Sequence, residues 1–124
     1  MEDLSKEYQN IILCADSNIL AQEEPHFIQT DNDSPWKDAW KLKGDNANKF
    51  TYDGKRNVYL MLRKIPFRSR LDRILFRSDL LEPDNFSLVE ASKDDDQPSD
   101  HYGVIAQFSL KTPKKFDLSN TNVK

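Results

Sequence analysis

The apolar run Ile11-Ile12-Leu13-Cys14-Ala15, closed by Asp16, limits most tightly what this chain can become. It is too short for a helix of ordinary length, has no 3.6-residue period and opens on two β-branched residues. Those features predict a strand buried on both faces. Asp16, Ser17 and Asn18 then stand where the strand leaves its sheet, a place where functional groups collect in α/β layers.

Two later segments share the strand signature through alternation. Between Leu71 and Arg77, Asp72, Ile74 and Phe76 point one way, and Leu71, Arg73, Leu75 and Arg77 the other. Val104, Ala106, Phe108 and Leu110 share one face of a last strand, and 86–91 is a further short candidate. Only one helix is expected. Ser34-Pro35 reads as an N-cap followed by proline, Trp36, Ala39, Trp40 and Leu42 fall on one face, and Gly44 ends it. Residues 21–35 read as loop, Asp53-Gly54 as a turn, and the Asp94-Asp95-Asp96 run with Pro98 as a loop. The expected organisation is a polar end over 1–9, one folded unit over 10–112 and a flexible tail over 113–124. The class is sheet-rich α/β.

At 124 residues, 37% of them hydrophobic and 31% charged, the chain suffices for one core because its apolar residues cluster. No apolar stretch approaches the roughly 20 residues of a membrane span, and Glu2 and Asp3 after Met1 leave no basic n-region, so no membrane partner and no secretory signal are expected. Cys14 is the only cysteine, which excludes an intrachain disulfide and fits a reducing compartment, nucleus or cytoplasm. The formal charge is -3, yet Arg63, Lys64, Arg68, Arg70, Arg73 and Arg77 crowd one stretch whose only acid is Asp72. Such a stretch either faces phosphates or pairs with neighbouring acids.

Three polar clusters lie at strand ends: Asp16/Ser17/Asn18, Asp72/Arg73 and Ser99/Asp100/His101. Singly, each reads more readily as a turn or loop. Together they suit cleavage of a phosphoester: a carboxylate to activate water, an amide to bind phosphoryl oxygens, and a histidine to meet developing negative charge.

Four segments in order resemble the endonuclease/exonuclease/phosphatase superfamily. Cys14-Ala15-Asp16-Ser17-Asn18 is similar to its G-D-x-N element, and Ser99-Asp100-His101-Tyr102-Gly103-Val104 to its S-D-H element. Ser69-Arg70-Leu71-Asp72-Arg73-Ile74-Leu75-Phe76-Arg77 resembles its R-x-D-R-I-x-F-R strand. Asp38-Ala39-Trp40 with Phe50-Thr51-Tyr52-Asp53 resembles the D-x-W … T-W-D segment of the tyrosyl-DNA phosphodiesterase branch. The resemblance runs from about Asn10 to Leu110 and implies the C-terminal half of a four-layer α/β sandwich of the DNase I type.

The resemblance further implies a Mg²⁺-assisted phosphodiesterase, with Mn²⁺ as an alternative ion, that hydrolyses 5′-phosphotyrosyl-DNA bonds in DNA repair. Asp16 would activate water, Asn18 bind the phosphate and His101 stabilise the transition state. Asp100 would orient His101 and approach the metal through water. Tyr52, Arg70 and Arg73 would contact the nucleic acid, the expected partner, at a 5′ end of DNA that is protein-linked in the branch's substrates. The pattern departs from the family in three ways. Ala15 replaces the motif glycine, Ile19 and Leu20 stand where the branch often has arginine, and no Asn element or metal-binding Gln-Glu element precedes Asp16. The last departure implies a fragment that needs the N-terminal half of the domain. Two alternatives stay open: an inactive half-domain that binds or supports a partner, and another phosphodiesterase or phosphatase of the same superfamily.

Overall fold

The computed structural model describes residues 8–30, 34–90 and 98–111. Expectations for 1–7, 94–96 and 113–124 lie outside these residues. The elements run β1 (Ile11–Asp16), α1 (Glu24–Phe27), β2 (Lys37–Asp38), α2 (Ala39–Lys43), a 3₁₀ turn (Asn46–Asn48), β3 (Tyr52–Asp53), α3 (Val58–Leu62), β4 (Arg68–Ser69), β5 (Asp72–Arg77), β6 (Leu81–Val89) and β7 (Gly103–Leu110). Among the described residues no helix is long and apolar enough to cross a membrane.

β5 organises the molecule. It lies between β1 and β2 in an antiparallel three-stranded sheet, with Cys14 opposite Ile74 and Asp16 opposite Asp72. Its alternation buries both faces, as expected of a central strand. Leu75 packs with Ile28 and Trp36 on one side. Ile74 packs with Ala39 and Phe86 on the other, where Phe76 meets Phe108 edge-on at 5.2 Å between ring centres. The β6–β7 pair covers that second face, and a register shift between Pro83 and Asn85 absorbs the proline, which cannot donate to the ladder.

β1 is not buried on both faces as its composition predicted. Among the described residues it pairs with β5 alone, so Ile11 and Leu13 pack inward while Ile12 is 44% exposed and Cys14 is exposed. The helix expected from Trp36 starts at Ala39 instead. Ser34 Oγ accepts from the Trp36 N–H in a local turn, Lys37 and Asp38 pair with β5, and the Asp38 carboxylate caps the helix by accepting from the Trp40 N–H at 3.0 Å. The predicted loop over 21–35 contains the one-turn α1. The strand expected over 86–91 begins earlier and spans Leu81–Val89. The Asp53-Gly54 turn forms as expected. A Cβ on Gly54 would lie 1.8 Å from the Ile65 carbonyl oxygen, so only glycine lets these backbones approach.

Candidate active site

Period-two alternation sends Asp72 and Arg73 to opposite faces of β5. Asp72 turns toward the start of β7, where its Oδ2 lies 2.7 Å from His101 Nδ1. Asp16, directly across the β1–β5 ladder, completes a cluster in which one ligand atom from each of Asp16, Asp72 and His101 lies within 4.8 Å of the others. Burial pushes the His101 pKa down. The hydrogen bond and charge of Asp72, with the charges of Asp16 and Asp100, outweigh burial and hold it above its ordinary value of 6.5. The carboxylates of this pocket thus favour the proton on the ring more than water does.

The strand end is braced by a residue the motif reading quoted only as part of a segment. Thr51 is 0% exposed; its Oγ1 accepts from the N–H groups of Leu71 at 3.0 Å and Asp72 at 3.1 Å, and its carbonyl accepts from the Tyr102 N–H at 2.7 Å. One threonine thus fixes Asp72 and the residue after His101 in a common frame. Fully buried Asn57 caps α3 and donates through Nδ2 to the Asp100 carbonyl at 3.2 Å, which anchors the loop from the other side. Ser17 ties β1 to β5, its Oγ donating to the Leu71 carbonyl at 2.8 Å.

Asn18 has φ 50°, a left-handed conformation that asparagine tolerates, and its N–H donates to Asp16 Oδ1 at 3.2 Å. The carboxylate of Asp16 is thereby held at the strand end beside the dyad. Tyr52 stands edge-on to His101 with ring centres 5.3 Å apart and edge-on to Phe67 at 5.7 Å. Asp16, Asn18, Tyr52, Asp100 and His101 therefore meet at one end of β5.

Three expectations change. The partner that orients His101 is Asp72, not Asp100, whose carboxylate is 44% exposed and reaches only to 3.9 Å from Nε2. Arg70 and Arg73 are buried away from solvent instead of facing a ligand. Arg70 Nη1 donates to Asp38 at 2.6 Å and Arg73 Nη1 to Glu24 at 2.9 Å, with Ser17 Oγ and the Ile19 carbonyl taking the remaining Arg73 bonds. The basic stretch thus pairs in large part with acids: Arg68 also makes a two-pronged contact with Asp53, at 2.8 and 3.0 Å.

Asp16, Asp72 and His101 do not by themselves fit a Mg²⁺ centre. That ion prefers oxygen ligands in near-octahedral array, while His101 Nδ1 and Asp72 Oδ2 are committed to each other. The exposed carboxylates of Asp16 and Asp100 remain as the oxygen donors at this strand end.

No family model matches the chain, and no curated protein matches it. Solved structures do. The chain superposes on tyrosyl-DNA phosphodiesterase 2 (TDP2) from D. rerio, in complex with single-strand DNA product, with a TM-score of 0.69 and 24% identity over 87% of its length. Over the matched residues its fold is that of part of TDP2. Truncated Caenorhabditis elegans TDP2 superposes with a TM-score of 0.59 and 24% identity over 83% of the chain. A selenomethionine form of the nematode TDP2 gives 0.57 and 26%. The chain spans 46%, 40% and 31% of those three TDP2 chains, less than half of each. The expected sheet-rich α/β class and DNase I-like fold agree with this match.

Proposed function

We propose that this chain carries the water-activating and charge-stabilising side of a phosphodiesterase site of the TDP2 type, acting on 5′-phosphotyrosyl DNA. The observation that supports the reading most is the His101–Asp72 contact of 2.7 Å with Asp16 beside it, groups brought to one sheet end by β1, β5 and the bend before β7. Asp16 accepts the proton of the attacking water as the new P–O bond forms. His101, whose proton its acidic neighbours favour, presents Nε2–H to a phosphoryl oxygen as charge builds on phosphorus. Asp72 keeps the ring in orientation from Nδ1. The Asn18 amide binds a second phosphoryl oxygen, the P–O bond to the tyrosine breaks, and Tyr52 offers a ring to the adjacent base, worth roughly 1–3 kcal/mol. Mg²⁺ (Mn²⁺ as the alternative) would add charge neutralisation if held chiefly by the N-terminal half of a complete domain. Asp100 would approach that ion through water. The compartment proposed is the nucleus or the cytoplasm, in keeping with the single cysteine, Cys14.

The test is turnover of a 5′-phosphotyrosyl oligonucleotide with Mg²⁺ by the chain within a complete domain. His101→Ala should abolish it, and unchanged turnover would overturn the assignment. The poor fit of the Asp16, Asp72 and His101 cluster to a Mg²⁺ centre supports a second reading, an inactive half-domain that binds or supports a partner. Turnover by the purified chain alone would rule that out.

A further inference from the structure

Asp16, Asp72 and His101 form a donor set that is poor for Mg²⁺ and suited to a different ion. One ligand atom is an imidazole nitrogen and two are carboxylate oxygens, all within 4.8 Å of one another. Among the described residues no other three histidine, cysteine, aspartate or glutamate side chains bring their ligand atoms this close. Asp16 and Asp72 are partners across the β1–β5 ladder, so their side chains leave the sheet on one face. What joins His101 Nδ1 to Asp72 Oδ2 at 2.7 Å is a single shared proton. Mg²⁺ selects oxygen and has little to offer the ring nitrogen. Zn²⁺ takes imidazole and carboxylate alike, with bonds of about 2.0–2.2 Å that set adjacent ligands about 3.3 Å apart in a tetrahedron. To admit that ion, the His101–Asp72 pair needs to open by only about half an ångström while the exposed Asp16 side chain swings in.

The surroundings hold these donors in place. The Asn18 N–H bonds Asp16 Oδ1 at 3.2 Å and leaves Oδ2 for an ion. Thr51 Oγ1 fixes the backbone of Asp72, and the Tyr52 ring stands edge-on to His101. With Nδ1 on the ion, His101 Nε2 keeps a proton on the side of Asp100, whose Oδ1 is 3.9 Å away. A carboxylate behind the second ring nitrogen recurs at zinc-bound histidines. We propose that this end of β5 is a Zn²⁺ site, with His101 Nδ1, Asp72 and Asp16 as ligands and water in the fourth position. The ion takes the place of the proton between His101 and Asp72, which passes to solvent. The binding stands without the phosphodiesterase reading; its consequence rests on that reading. Zn²⁺ engages both the carboxylate assigned to water activation and the one that orients His101, so it opposes turnover instead of supporting it.

Calorimetric titration of the full chain with Zn²⁺ tests the site without turnover. One Zn²⁺ should bind per chain, and Mg²⁺ in large excess should leave it in place. His101→Ala and Asp72→Asn should each weaken binding by more than about 100-fold, beyond what loss of an outer partner costs. The exposed alternatives, Cys14 and His26, should not matter: Cys14→Ser and His26→Gln should bind as the parent does. Should a variant fail to fold, NMR of the isotope-labelled parent reads the same contact directly. Zn²⁺ should move the ring nitrogens of His101 and leave those of His26 where they were. No binding by the parent, full binding by a folded His101→Ala, or a shift at His26 alone would overturn the site. In a complete domain, Zn²⁺ should suppress 5′-phosphotyrosyl turnover in the presence of excess Mg²⁺. If Zn²⁺ binds through His101 while turnover is absent with Mg²⁺ alone, the site stands and the hydrolytic reading fails. If turnover is present and no Zn²⁺ binds, the site fails alone.

Discussion

Asp72 and Arg73 are neighbours on β5, yet they belong to two regions that use charge in opposite ways. On the Asp72 face the groups are partly open and of one sign. Three carboxylates, from Asp16, Asp72 and Asp100, surround one imidazole, and against burial they raise the His101 pKa above its ordinary value. On the Arg73 face the charges are buried and matched: Arg70 and Arg73, 7% and 2% exposed, lie against Glu24 and Asp38. Charge left over after pairing can act on a ligand, and charge fully paired in the interior holds the fold. The first kind is suited to chemistry; the second makes the first possible by fixing the strand that carries both.

The comparison breaks if either region does the other's work. Asp38→Ala should have the largest effect on folding, because it leaves buried Arg70 with only its longer 3.3 Å contact to Glu24 and removes the α2 cap. A loss of about 3–5 kcal/mol is expected, read from urea unfolding. Turnover per folded molecule, in a complete domain, should stay near the parent's. Asp72→Asn should do the reverse. The amide still bonds His101 but no longer favours the imidazolium, so turnover should fall about 10²-fold or more with little change in the unfolding midpoint. An Asp72→Asn variant that unfolds early while keeping its turnover would erase the distinction between the two faces.

Thr51→Val sharpens the same contrast from the backbone. The substitution keeps the shape but leaves the N–H groups of Leu71 and Asp72 without their acceptor, at a cost of about 1–3 kcal/mol. Because Thr51 touches no candidate reacting group, its effect on turnover should come through misplacement of Asp72. The pH profile of turnover should therefore shift along with the rate. A fall in stability with an unmoved profile would make Thr51 part of the scaffold only.

Which of these roles can be read from a sequence depends on how far apart the partners lie. The strand at 71–77 was legible because alternation is local, and Asp16 with Ser99-Asp100-His101 was legible because each sits at the end of an apolar run. Asp72 as the orienting partner was not, since it and His101 are 29 residues apart and Asp100 is adjacent. Adjacent side chains leave a loop in different directions, so sequence proximity misled. Arg70 and Arg73 read as ligand contacts for a related reason: their acids, Asp38 and Glu24, are 32 and 49 residues away. Nothing within five apolar residues tells a central strand from an edge strand, so the exposure of β1 was hidden too. The start of α2 was missed because Asp38 serves three ends at once, as ladder member, helix cap and acceptor for Arg70.

The smallest effect expected is also the one that separates the two regions by sign. Burial pushes the Glu24 carboxyl up, but its bonds and charge contacts with Lys41 and Arg73 prevail and hold it below its ordinary 4.5. Asp53 behaves alike: burial raises it, and Arg68 with the Lys55 N–H brings it below 3.8. A carboxyl depressed in the folded state stabilises the fold above its unfolded value, and that stability is lost as pH falls through the folded pKa. His101 is raised, so its contribution is full below 6.5 and is lost as pH climbs through its folded pKa. Melting temperatures measured in EDTA across pH should thus fall on both sides of a plateau, for unrelated reasons. Glu24→Gln should flatten the acid limb and leave the alkaline limb alone; His101→Gln should do the opposite. Should His101→Gln leave the alkaline limb as steep as before, the carboxylate cluster would not be holding a proton on that ring, and the charge imbalance assigned to this face would be gone.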